Sequence, residues 1–231
     1  MPRPVPVSTV AIVEDHLLFA ETLEVALTLE GHDVTRLPVS DESMTSPRLL
    51  ASLLRMRPGI VLLDLDLGPA GDGARLVEPL ARAGSAVVVV TASIDETRAG
   101  ECLRYGARAV LLKSTPLSSI LAALRLISEG RAVMSREERQ RLIAEYHQDK
   151  VNVQALRRRL ELLTSREREV LAHLMTGLPV REIAIRSFVS EATVRTQVKS
   201  ILAKLEVSSQ LAAVGAAHKA AWRPPALTPQ R

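Results

Sequence analysis

The sequence predicts two folds in one chain: an α/β N-terminal domain built on a doubly wound five-stranded parallel sheet, then an all-α four-helix C-terminal domain. Three observations predict this. Five short apolar, β-branched runs alternate with helical patterns up to about residue 130. Helical periodicity alone fills the rest. The charge changes sign between the halves: residues 1–135 carry 13 Lys+Arg and 16 Asp+Glu (13 − 16 = −3), residues 136–231 carry 17 and 10 (17 − 10 = +7).

In order, strands are expected near 8–13, 33–37, 60–63, 86–90 and 109–112. Helices are expected near 17–30, 46–56, 73–83, 95–104 and 117–129. Gly31, Gly59, Gly84, Gly106 and Gly130 fall at the joints, as stops and turns do. The run IVLL at 60–63 is continuously apolar, as a strand covered on both faces should be. Residues 131–161 read as a helical linker. Leu142, Tyr146, Asp149, Val153, Leu156, Leu160 and Leu163 make a heptad seam broken at Asp149. So short a seam favours packing on its own neighbours over pairing with a second copy.

From 162 to 220 four helices are expected. Thr164 opens a capping box with Glu167, and that first helix runs to about Met175 before Gly177. The second spans about 180–187. Ser190 caps a third at 191–205, and a fourth covers about 208–219. Residues 221–231, with three prolines, read as a flexible tail.

Composition narrows the function classes. Aromatics are 2% of the chain, which disfavours stacking on single strands. The one cysteine, Cys102, excludes an internal disulfide framework and suits a reducing cytoplasm. No apolar run reaches about 18 residues and no signal-peptide h-region is visible, so no membrane partner is expected. No Ser-His-Asp, Cys-His, metal-hydrolase or P-loop motif points to a separate enzyme. His173 and His218 lack metal-ligand spacing.

The chemistry of the first half sits at strand ends. Glu14-Asp15 follows VAIV, Asp64 follows IVLL, Thr91 follows VVVV and Lys113 follows AVLL. A parallel doubly wound sheet gathers its strand ends at one crevice. Carboxylates suit a hard cation such as Mg²⁺, with Glu14, Asp15, Asp64 and the backbone carbonyl of Asp66 as ligands. An aspartate at a strand tip can take a phosphoryl group as an acyl phosphate, with Lys113 and Thr91 serving its oxygens.

These residues resemble the CheY-like receiver domain of two-component response regulators, a flavodoxin-like fold, over about residues 8–130. The matching parts are the acidic pair, LLDLDLG, VVVVTAS and LLKS, at separations of 64 − 15 = 49, 91 − 64 = 27 and 113 − 91 = 22. The resemblance implies phosphorylation of Asp64 by a sensor histidine kinase. Two departures stand out. Val110 occupies the place where the family has an aromatic reporter, and Leu67-Gly68 replaces the usual Met-Pro. They keep open a second reading, in which the receiver is a phosphorylation-independent dimerisation or docking module.

In the second half, EATVRTQVKSILAKL separates on a helical wheel. Val194, Val198, Ile201 and Leu205 share one face, and Arg195, Thr196 and Lys199 the other. Long cations on such a face can reach guanine edges or phosphates. Thr193, Gln197, Ser200 and Lys204 flank it as expected phosphate contacts. With the helix VREIAIR ahead of it, this is a helix-turn-helix arrangement. The segment resembles the LuxR-type helix-turn-helix through T-x-R-E-x-E-V-L, Gly177, E-I-A, V-S-E-A-T-V-R and I-L-x-K-L-x-V. Together the halves resemble the NarL/FixJ class of response regulators. That implies a cytoplasmic, double-stranded-DNA-binding homodimer, paired through its last helix, that controls transcription. Ser187, where Leu is usual, and Gln197, where His is common, depart from the pattern.

Overall fold

The computed structural model describes residues 8–39, 44–93 and 95–224. The chain forms two compact units, residues 1–147 and 148–231.

The first unit alternates strand and helix: β1 (Thr9–Val13), α1 (Leu17–Leu29), β2 (Asp33–Leu37), α2 (Ser46–Met56), β3 (Ile60–Leu63), α3 (Ala74–Arg82), β4 (Ala86–Thr91), α4 (Glu96–Arg104), β5 (Ala109–Leu112) and α5 (Leu117–Ser128). All pairings are parallel, in the order β2-β1-β3-β4-β5. This is the expected doubly wound sheet, with boundaries within about two residues of the sequence reading.

Side chains alternate across each strand, so a continuous apolar run feeds two cores. Ala11, Val13, Val61, Leu63, Val87 and Val89 pack with α2 and α3 through Leu49, Leu53, Leu76 and Leu80. Val10, Ile12, Ile60, Leu62, Val88 and Val90 pack with α1 and α5 through Leu23, Leu27, Ile120 and Leu124. Burying a Leu, Ile or Val side chain stabilises the fold by about 1.5–3 kcal/mol. The doubly covered central strands β1, β3 and β4 are therefore where the apolar run is densest.

α6 (Arg136–Glu161) is one unbroken helix of 26 residues. Within the stretch read as a helical linker, 131–161, Leu142 and Tyr146 are buried in the first unit, while Leu160, with Leu163 just after it, belongs to the core of the second. Asp149, which breaks the heptad, ion-pairs with Lys219 at 2.7 Å. The apolar seam packs within the chain, on its own neighbours.

The second unit continues with α7 (Ser165–Met175), α8 (Val180–Arg186), α9 (Glu191–Leu205) and α10 (Gln210–Lys219). The capping box forms in both directions: Thr164 N–H donates to the Glu167 carboxylate at 2.7 Å, and Glu167 N–H to Thr164 Oγ1 at 3.3 Å. Ser190 Oγ accepts from Thr193 N–H and starts α9. Most of the expected flexible tail, residues 225–231, lies outside the described residues.

Candidate functional site

The ends of β1, β3, β4 and β5 bring the acidic pair, Asp64, Thr91 and Lys113 to one edge of the sheet. Asp64 continues the ladder, its N–H donating to Val13 O at 2.9 Å. Its side chain is only 3% exposed. Lys113 Nζ reaches across the sheet end to both acids, at 2.7 Å from Asp64 Oδ2 and 2.5 Å from Glu14 Oε1. Asp66 N–H donates to Asp64 Oδ1 at 3.3 Å, and His16 N–H to Glu14 Oε1 at 2.9 Å. Asp15 is exposed at the rim.

One glycine is required here. A Cβ on Gly73 would fall inside the Asp64 carbonyl oxygen. Its N–H donates to Leu65 O at 2.9 Å, holding the start of α3 against the strand tip.

Electrostatics mark the cluster as under-neutralised. Burial pushes the Glu14 carboxyl above its usual value, and the Lys113 hydrogen bond offsets only part of that. Burial pulls the Lys113 ammonium down, but hydrogen bonds to Asp64 and Glu14 outweigh it and hold it above its usual value. Phe19 lies 5.6 Å beneath the same ammonium. Three carboxylates face one ammonium. Glu14, Asp15 and Asp64 can each point an oxygen so that all lie within 4.8 Å of one another. That donor set suits a hard divalent cation.

Thr91 is buried, and its hydroxyl donates to Ser93 O at 3.2 Å. Its carbonyl accepts from Lys113 N–H at 2.8 Å. Val110 is half-buried against the core and has no polar atom to report on the site. Leu67 is buried, and Gly68–Ala70 form a 3₁₀ turn with Gly68 at φ +54°.

The sequence reading missed a set of connections around α4. Asp72 pairs with Asp66 as an isolated bridge and takes the Arg98 guanidinium at 2.5 Å. The Tyr105 hydroxyl lies 3.3 Å from that of Tyr146.

In the second unit, Val194, Val198, Ile201 and Leu205 are buried and the opposite face of α9 is open. Arg195, Thr196 and Lys199 are exposed on it. Arg195 pairs with Glu191 at 3.0 Å, and Thr196 Oγ1 donates to Ala192 O. Thr193 Oγ1 sits 2.9 Å from Ser190 Oγ at the cap. Gln197 is half-buried with its amide oxygen unpartnered. Two of the residues expected to touch phosphates also have partners within the domain. Ser200 Oγ donates to Glu167 Oε1 at 2.6 Å and Lys204 Nζ to Glu167 Oε2 at 2.7 Å. One buried carboxylate is the partner of both, and Lys204 Nζ also donates to Leu162 O at 3.2 Å. Ser187 caps α8, and its carbonyl accepts from Arg166 at 2.7 Å.

Comparisons with known proteins agree with this geometry. Residues 10–125 match the family model described as response regulator receiver domain, and residues 161–217 match bacterial regulatory proteins, luxR family. The probable transcriptional regulatory protein NarL of Mycobacterium tuberculosis is 30% identical over 94% of this chain and 96% of its own length. The transcriptional regulatory protein DegU of Brevibacillus brevis is 26% identical over 92% and 94%. The solved structure of the RcsB response regulator of Salmonella typhimurium aligns with a TM-score of 0.51 at 22% identity, over 90% of this chain and 97% of that one, a likeness of fold.

Proposed function

Because the chain belongs to the NarL/FixJ class of two-component response regulators, we propose that it is switched by transfer of a phosphoryl group to Asp64. It carries a receiver and a LuxR-type DNA-binding domain and is a transcriptional regulator. The observation that carries the proposal is the buried Asp64 carboxylate, 2.7 Å from the Lys113 ammonium and clustered with Glu14 and Asp15.

In the proposed step, an Asp64 oxygen attacks the phosphorus of a phosphohistidine on a sensor kinase. The P–O bond forms as the P–N bond breaks, and the released imidazole takes a proton from solvent. Mg²⁺ held by Glu14, Asp15, Asp64 and the Asp66 carbonyl would supply charge neutralisation. Lys113 then moves from the carboxylate to a phosphoryl oxygen, and Thr91 exchanges Ser93 O for another. The added charge biases the loop that Thr91 anchors.

The output proposed is a dimer reading two half-sites about one helical turn, or a multiple, apart. Arg195, Thr196 and Lys199 face base edges, with Thr193 and Gln197 beside phosphates. α10 is assigned to pairing, and it leaves Leu211 82% exposed. Such a regulator works in the cytoplasm, and no helix among the described residues is long and apolar enough to cross a membrane.

Intact mass after incubation with Mg²⁺ and a small phosphodonor tests the reading. One phosphoryl adduct is expected in wild type and none in Asp64→Asn. No adduct in a folded wild-type protein would favour the second reading, which Val110 motivates: a receiver that docks or dimerises without phosphorylation.

A further inference from the structure

The missing aromatic on β5 leaves an open question: what reads the phosphorylation site? We infer that α4 carries the signal directly to α6, through a dock made by Glu96, Gly100 and Tyr105 on α4 and its C-cap against Arg139, Arg141, Leu142 and Tyr146 on α6. This rests on the proposed phosphorylation of Asp64.

α4 is tied to the site at its start and along its length. Thr91 holds Ser93 O by its hydroxyl, and Asp95 caps α4 by accepting from Thr97 N–H at 3.1 Å. Glu96, the first residue of the helix, lies five positions after Thr91. Further along, Arg98 is paired with Asp72, which bridges to Asp66 two residues beyond Asp64. A Thr91 hydroxyl that leaves Ser93 O for a phosphoryl oxygen therefore moves the segment that starts α4.

The other face of α4 is bound to α6. The two terminal guanidinium nitrogens of Arg141, Nη1 and Nη2, meet the Glu96 carboxylate at 2.8 and 2.9 Å. Arg139 donates to Leu103 O at 2.7 Å and Ala107 O at 2.9 Å, closing the C-terminal end of α4. The Tyr105 and Tyr146 rings meet edge to face with centroids 6.3 Å apart. Gly100 sets the approach: a Cβ there would fall inside the Leu142 carbonyl oxygen. Leu142 and Tyr146 are 6% exposed in this dock.

The dock has a built-in alternative. Arg141 also contacts Glu138 on its own helix, at 3.0 Å. When Glu96 withdraws, the guanidinium keeps a carboxylate partner, so loosening does not strand a charge. In the structure Arg141 holds both carboxylates at once, so the switch proposed is the release of one of them. α6 itself runs on without a break to Glu161.

The test follows backbone amide exchange across residues 138–147 by mass spectrometry in the full chain. Beryllofluoride with Mg²⁺ serves as the phosphoryl mimic, and its uptake is monitored by fluorine NMR. In wild type the mimic is expected to speed exchange in this segment by about tenfold, a coupling of ordinary allosteric size. Arg141→Ala should bring that ratio close to one. Gly100→Ala should leave the segment exchanging fast with or without the mimic. Exchanging all three charges, Glu96→Arg and Glu138→Arg with Arg141→Glu, keeps both ion pairs and should restore the wild-type response, which a loss of mere stability would not. A wild-type protein that takes up the mimic with no change across 138–147 would overturn the inference and leave phosphorylation standing. So would a full response in both Arg141→Ala and Gly100→Ala, and Arg141, half exposed, keeps the test decisive where Gly100→Ala does not fold. A wild-type protein that takes up no mimic would overturn the phosphorylation reading, and the inference with it.

Discussion

Each unit of the molecule buries a glutamate against a lysine, and the two pairs behave in opposite ways. Glu14 meets Lys113 at 2.5 Å, yet burial leaves its carboxyl above the usual value. Glu167 meets Lys204 at 2.7 Å; burial pushes it up, but the hydrogen bonds from Lys204, Ser200 and Thr164 outweigh this and hold it at about 2. The difference lies in the company each keeps. Glu14 shares one ammonium with Asp64 and stands beside Asp15. Glu167 has an ammonium, a hydroxyl and a backbone N–H to itself. Surplus charge held in place makes a receptive site, and a fully satisfied charge makes a staple. Burial and pairing alone do not tell the two apart.

Breaking the staple should have the largest effect. Glu167→Ala leaves Lys204 only Leu162 O and solvent, strips Ser200 of its buried acceptor and breaks the capping box of α7, so denaturant unfolding of the second unit should show a loss of about 3 kcal/mol. Acid should act in the same direction more mildly. The Glu167 pKa is depressed on folding, so its stabilisation is fully present above the unfolded value near 4.5 and is lost as pH falls toward about 2. Far-UV circular dichroism in denaturant between pH 6 and pH 2.5 (a range of about three and a half units) should record a loss of about 2 kcal/mol, discounted for the partial exposure of Lys204. The receptive site should answer differently. Glu14→Gln removes one of three crowded acids, so unfolding free energy should move by less than about 1 kcal/mol while Mg²⁺ affinity falls about tenfold by calorimetry. A stability loss as large as that of Glu167→Ala would erase the distinction. The exposed pair of Arg195 with Glu191 gives the smallest effect on folding. Arg195→Ala should leave the unfolding midpoint unchanged and relax base preference at one operator position by about 1–2 kcal/mol in a binding assay.

Legibility in the sequence followed the same divide between local and distant causes. Asp64, Thr91 and Lys113 were readable because each ends an apolar run, and a parallel sheet brings such ends together. The strand ranges 33–37, 60–63 and 109–112 match the structure because turn residues bound them tightly. The inward face of α9 was readable from its period of 3.6. The hold of Glu167 on Ser200 and Lys204 was not readable, because a helical wheel does not see a residue 33 and 37 positions away in sequence. The dock of α6 on α4 was invisible for the same reason. It depends on Glu96 finding Arg141 across 45 residues and on a glycine whose role is to be absent of a side chain.

The continuity of α6 bears on how the protein can be taken apart. The place where the strand pattern stops, near residue 130, is where one would cut to isolate the first unit. A fragment ending there loses Leu142 and Tyr146 and strips the cover from Gly100 and Tyr105, leaving a sticky apolar shelf on α4. A fragment carried to residue 147 keeps that shelf covered. The receiver domain and the start of its connecting helix should therefore be inherited, expressed and shuffled between proteins as a single piece.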